Sequence, residues 1–186
     1  MDQELPALLI IDMQKGMASP DAGPRNNPQA EQNIESLLMV WRNAGAIVVH
    51  VRHISRTVGS PFWPGQPGVE FQESLAPRAG EHVVEKNVPD AFINTGLERW
   101  LRVRNVRKLV IVGVSTNNSV EASARAAGCL GFETQVVADA TFAFDKADYS
   151  GTRRTAEEVH AMSLANLAGE YAEITSTQRL LDSLSP

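Results

Sequence analysis

The stretch KLVIVGVSTNNSVEASARAAGCLGF, residues Lys108–Phe132, decides how the rest of the chain is read. An apolar run rich in Val and Ile leads into a cluster of small hydroxyl and amide residues. An alanine-rich segment follows, closed by Gly128 and Gly131. This is the order strand, tight turn, helix. Asn118 and Glu121 have the N-x-x-E spacing of a capping box, which predicts Asn118 as the helix cap and Ser119 at the first helical position. A backbone N–H at that position has no intrahelical partner, and the helix dipole there favours negative charge. Such a place suits an attacking thiolate or alkoxide and a backbone oxyanion donor. Serine is also common at helix starts for structural reasons alone, so the stretch by itself leaves both readings of Ser119 open.

Similar apolar runs recur outward from it: Leu5–Ile11, Ala46–Val51, His82–Glu85, Thr134–Ala138 and Ala172–Thr175. They barely alternate, as strands covered on both faces do in a parallel sheet. Helical patterns lie between them, at Ala30–Ala44, Thr95–Val103, Ser119–Leu130, Thr152–Gly169 and Thr177–Leu184. Alternation of this kind predicts an α/β fold with right-handed crossovers, a three-layer α/β/α, doubly wound and mainly parallel six-stranded sheet. In such a sheet ligands bind beyond the carboxyl ends of the strands. That rule selects Asp12, His53, Lys86, Ser115–Ser119 and Asp139–Phe144. The connection 54–80 has no clear period but carries four prolines with Phe62, Trp63 and Phe71, and is expected to be a lid or interface loop.

The 186 residues suit a single domain spanning 1–186. One cysteine, Cys129, cannot form an internal bridge, which fits a reducing compartment and a cytoplasmic protein. No apolar run approaches the ~18–20 residues of a membrane span, and Met1–Glu4 is acidic, so neither an anchor nor a signal peptide is expected. The net charge of −5 and the well-mixed signs argue against nucleic acid as a partner.

Asp12 ends a strand expected to be deeply buried, where a carboxylate is costly unless paired or protonated. As a turn residue it could equally serve as a cap. Lys86 ends HVVEK before a proline-containing turn and could be a surface lysine or a site cation. Together, Asp12, Lys86 within EKNVPDAF, and GVSTNNSVEASARAAG resemble the isochorismatase-like hydrolases, in particular the cysteine hydrolase group of that family. DATFAFD (Asp139–Asp145) and AEEVHAMSLANLAGEYAEI (Ala156–Ile174) extend the resemblance over nearly the whole chain.

The resemblance implies a catalytic set of Asp12 as general base and acid, Lys86 as the orienting cation and position 119 as the nucleophile. It further implies an oxyanion hole from the N–H groups of Ser115 and Ser119, a cis peptide at Val114–Ser115, and a homodimer or homotetramer. The reaction implied is hydrolysis of a small amide, carbamate or urea-like C–N bond through an acyl-thioenzyme. Family members closest to the pattern carry cysteine where this chain has Ser119. The surrounding motif is otherwise intact, which favours a deliberate cysteine-to-serine exchange, an inactive active-site mutant, over natural divergence. Relatives that cleave vinyl ethers such as isochorismate dispense with the cysteine and use the aspartate as an acid; a non-catalytic pseudoenzyme is the remaining alternative. The physical ground for inactivity is acidity. A thiol of pKa about 8.5 can be brought to thiolate by a lysine and a helix start, but an alcohol lies many units higher, and Asp12 at an ordinary pKa is a poor base for it. Cys129 cannot substitute, lying about 15 Å along the same helix at 1.5 Å per residue, and is expected to be a packed core thiol.

No metal or other cofactor is expected. His50 and His53 leave their strand on opposite faces, and the Asp-x-His run of the metal-containing branch is missing. His53, Trp63, Asn117, Phe142 and Phe144 are the candidate substrate contacts, with Thr116 shaping the oxyanion turn. Arg52 could face a carboxylate-bearing substrate or simply solvent. His50, His82 and His160 are expected to be structural, and Trp41 and Trp100 to be exposed. The partner expected is a small-molecule substrate, whose identity the sequence leaves open.

Overall fold

The computed structural model describes residues 5–184; the acidic start Met1–Glu4 lies outside the described residues. In chain order the elements are β1 (Ala7–Ile11), α1 (Ala30–Asn43), β2 (Val48–His53), β3 (His82–Lys86), α2 (Leu97–Val103), β4 (Lys108–Val114), α3 (Glu121–Cys129), β5 (Glu133–Phe142), β6 (Lys146–Ala147), β7 (Arg153–Arg154), α4 (Ala156–Leu167), β8 (Glu173–Thr175) and α5 (Thr177–Leu184). Six strands form one sheet in the order β3-β2-β1-β4-β5-β8, and every pairing in it is parallel. The order reverses between β1 and β4, the switch point at which a doubly wound sheet opens its ligand crevice.

The lack of alternation in the apolar runs has its cause in this arrangement. Ala7, Leu9 and Ile11 of β1 pack with α2, α3 and α4, while Leu8 and Ile10 pack with α1 and α5 on the other face. Leu97, Leu101, Ala124, Ala127 and Leu167 supply one helical layer, and Ile34, Leu37, Leu38, Trp41 and Leu180 the other. Strands with apolar layers on both sides bury every side chain, so period two disappears from the sequence. Among the described residues, no helix is long and apolar enough to cross a membrane.

Several expectations shift. Trp41 is fully buried, its indole N–H donating to the Pro6 carbonyl, and Trp100 is half-buried, stacked on His82 with Arg104 over its ring. The helix expected from Thr152 starts at Ala156, because residues 146–154 form a small hairpin held by Arg153–Asp145 and Arg154–Asp148. Thr155 and Glu158 then make the reciprocal capping box that starts α4. Cys129 is exposed, not packed in the core: it ends α3 off the face that carries Ser123, Ala124 and Ala127. The connection 54–80 is folded onto the body of the molecule. A short 3₁₀ turn at Pro67–Val69 seats it against the Lys15–Ala18 segment, where Phe62 lies so close to Gly16 that a side chain there would clash, and a second at Glu73–Leu75 packs Leu75 against α1.

Candidate active site

Beyond the carboxyl ends of β1, β3 and β4, three polar side chains meet in a dry environment. Lys86 Nζ lies 2.7 Å from Asp12 Oδ2 and 3.2 Å from Ser119 Oγ. Asp12, Lys86 and Ser119 are each at most 5 % exposed. Asp12 takes a left-handed backbone conformation, φ 52°, directly after β1, a strained choice for a residue with a side chain. Lys86 arrives from two strands away, as the last residue of β3. Burial pushes the Asp12 carboxyl above the usual range, outweighing the Lys86 ammonium and the Ser119 hydroxyl, which pull it down. The second carboxylate oxygen, Oδ1, is buried without a hydrogen-bond partner among the described residues.

Ser119 occupies a different local structure from the capped helix start expected. Thr116–Val120 form a single π-helical turn that runs into α3, with the Ser115 carbonyl accepting from the N–H groups of Asn118 and Val120. The capping box of Asn118 and Glu121 does not form. The helical run begins one turn earlier, Asn118 is exposed within it, and Glu121 instead bonds Arg125 and Ser163. The peptide Val114–Ser115 is cis, and Gly113 just before it has φ 118°, with its α-carbon pressed so closely on β1 that a Cβ would stand 2.1 Å from the Ile11 carbonyl oxygen.

The remaining candidate residues divide. His53, at the end of β2, is half-buried and electrostatically coupled to the pair; burial lowers its pKa, Lys86 lowers it further and Asp12 opposes. Its ring lies edge-on to Phe62, 6.1 Å between centres, so Phe62 is the loop aromatic that reaches the site's flank. Trp63, half-buried, sits in the adjoining turn between Ser60 and Gln66. Phe142 has no accessible surface. It is packed in the α1-side core beneath the Arg25 guanidinium, 4.0 Å from the ring centre, so it is core and not pocket wall. Phe144 is half-buried and edge-on to it. Asn117 lines a separate groove of about 890 Å³ with Glu121, Arg154, Met162 and Asn166. Arg52 turns to Glu85 and Phe71. No three His, Cys, Asp or Glu side chains among the described residues cluster so as to hold a metal ion.

Sequence reasoning missed Gln14. Fully buried, it accepts from His53 N–H at 2.8 Å and donates to the carbonyls of His53 and Val69 at 3.0 Å each, fixing both the end of β2 and the covering loop. Its only signal was a polar residue three positions past a buried strand. Asp90, half-buried with its carboxyl pushed up by burial and pulled down by the Phe92 N–H and Lys86, was missed as well.

The isochorismatase domain matches residues 6–179. Similar proteins include the isochorismatase family protein YrdC of Bacillus subtilis, 37% identical over 97% of this chain and 96% of its own length. The maleamate amidohydrolase of Pseudomonas putida is 30% identical over 96% and 86%. A solved structure of an isochorismatase-family protein from Chromobacterium violaceum superposes with a TM-score of 0.95 at 49% identity, covering 99% of this chain and 95% of its own.

Proposed function

Because the chain belongs to the isochorismatase family, we propose that it is a hydrolase of a small non-peptide C–N bond, an amide, carbamate or urea-like group, built on Asp12, Lys86 and position 119. Amidohydrolases stand among its relatives, the maleamate enzyme being one. The observation that carries the reading is a single ammonium within hydrogen-bond distance of both the acid and the nucleophile position, at the switch point of the sheet.

Asp12, with Oδ1 open, accepts the proton of the nucleophile. Lys86 steadies the carboxylate and faces the nucleophile's oxygen or sulfur. The N–H groups of Ser115 and Ser119 receive the oxyanion as the carbonyl carbon is attacked. The protonated Asp12 then delivers its proton to the leaving amine, and water cleaves the acyl-enzyme. The raised pKa of Asp12 makes it a better base than an ordinary carboxylate, yet a serine hydroxyl remains far less acidic than a thiol, so the chain with Ser119 turns over amides slowly.

The test is paired. Ser119→Cys and the unchanged protein are followed for amine or ammonia release from a panel of small amides, carbamates and ureas. Turnover at least about a hundredfold faster in the Ser119→Cys protein, with a thioester-sized mass on it, is the expected result. Equal rapid turnover by the unchanged protein refutes the assignment of slow serine chemistry. Inactivity of both on every amide refutes the C–N reading. One observation then favours a second reading: a carboxyl pushed up by burial is a competent acid, so Asp12 would protonate a vinyl ether such as isochorismate without a nucleophile.

A further inference from the structure

Helix α4 touches the nucleophile turn at two points that the proposed mechanism does not use. Thr116, the first residue of the π-helical turn, has no accessible surface. Its hydroxyl lies 2.8 Å from His160 Nδ1, and its carbonyl accepts from Ser163 Oγ at 2.9 Å. His160 and Ser163 are three residues apart on α4 and both buried, so one face of that helix holds Thr116 by side chain and backbone together. Ser163 Oγ also lies 2.7 Å from Glu121 Oε2, the first residue of α3, so its single proton is shared between two acceptors across the join of turn and helix.

A lone π turn is a poor local structure. Its hydrogen bonds skip one residue more than in the α-helix, and it persists where tertiary contacts hold it. Released to α-helical bonding, the turn would carry Ser119 around the axis by about 100°, one residue's rotation. That would separate the Ser119 N–H and hydroxyl from Ser115 and Lys86.

We infer that His160 and Ser163 are positioning residues that act through Thr116, holding the π turn so that the donors of Ser115 and Ser119 converge on one oxyanion. The inference rests on the hydrolase reading above, but its test does not depend wholly on it. Burial lowers the pKa of His160, opposed by Glu157, a shift toward the neutral ring that suits a hydroxyl partner.

The experiment uses the Ser119→Cys protein, with Cys129→Ala added so that one thiol remains. Thr116→Val, His160→Leu, His160→Asn and Ser163→Ala are compared on it. Three quantities are read: kcat and KM on the best amide of the panel, the thiol pKa with its alkylation rate by iodoacetamide, and the thermal midpoint. Thr116→Val and His160→Leu are each expected to lower kcat about tenfold to a hundredfold with KM within about threefold, and to raise the thiol pKa. His160→Asn, which keeps a polar nitrogen or oxygen near the Nδ1 position, recovers most of the loss. The double variant Thr116→Val/His160→Leu is no worse than either single, because both remove one contact. Ser163→Ala, the mildest change, lowers kcat in the same direction should His160→Leu fail to fold. A lower thermal midpoint with kcat and thiol pKa unmoved overturns the inference, as do additive losses or a His160→Asn variant as impaired as His160→Leu. If no amide turns over, the hydrolase reading fails, and the thiol pKa and alkylation rate still decide whether α4 positions the turn.

Discussion

Asp12 and Lys86 show what a buried ion pair demands of its residues. Taking either charge out of water costs several kcal/mol, offset here by a 2.7 Å contact between the two and by Ser119 Oγ 3.2 Å from Lys86 Nζ. Lys86→Met, similar in volume, should therefore cost about 3–5 kcal/mol of stability by leaving Asp12 alone. The cost should depend on pH. A carboxyl whose folded pKa lies above its unfolded value contributes stability that is present at low pH and lost as pH rises through the folded value, and losing Lys86 drives Asp12 further up. The urea midpoint of Lys86→Met should fall further below the parent at about pH 8 than at about pH 5. A deficit equal at both would mean that Asp12 is not the group left unpaired. At this scale the sequence disclosed the residue types and their strand-end places but neither the 3.2 Å reach from Lys86 to Ser119 nor the open Oδ1, which depend on β3 lying two strands from β1.

The elements differ in how much local chemistry decides them. α4 starts where Thr155 and Glu158 form a reciprocal cap, and Thr155→Ala should cost about 1 kcal/mol, read as a lower thermal midpoint with the active-site contacts untouched. β4 is decided by its neighbour. Gly113, at φ 118° and pressed on Ile11, has no room for a methyl group, and Gly113→Ala should cost roughly 2–5 kcal/mol through backbone strain and overpacking, and displace the turn carrying Ser119 that follows. A variant as stable as the parent would show that β4 can draw away from β1. The strand was legible as a Val- and Ile-rich run. The π turn was not: TNNSV reads equally well as a capped α-helix, and the longer turn comes with tertiary contacts, among them the grip of α4 on Thr116. Phe142 was misplaced for the same reason. Being at a strand end predicts nearness to the crevice, but which face its ring takes is settled by Arg25 and the α1 layer.

Across the whole molecule the layers are joined by polar clusters as well as by apolar packing. Glu81, just ahead of β3, bonds Arg42 of α1, His50 of β2 and the Arg78 N–H. Burial pushes its carboxyl up, but these three partners outweigh it and hold it at about 2, against an ordinary 4.5. A carboxyl with a depressed folded pKa stabilises above its unfolded value and loses that contribution as pH falls through the folded one. Between about pH 4.5 and 2 the protein should therefore lose on the order of 2 kcal/mol from this group. Glu81→Gln should be less stable at neutral pH and show a flatter acid profile over that window; an unchanged profile would assign the acid loss to other carboxylates. Much of the larger architecture was determined by sequence alone. Apolar runs without alternation require strands covered on both faces, and helical segments between them require parallel crossovers, so the six-stranded doubly wound sheet, its crevice and the residues at its rim could be named in advance. Tertiary structure alone decided which of those residues meet, the burial that raises Asp12, the π turn under Ser119, and the support from Gln14 and α4. Each depends on contacts between segments far apart in the chain, whose distances and desolvation no local pattern encodes.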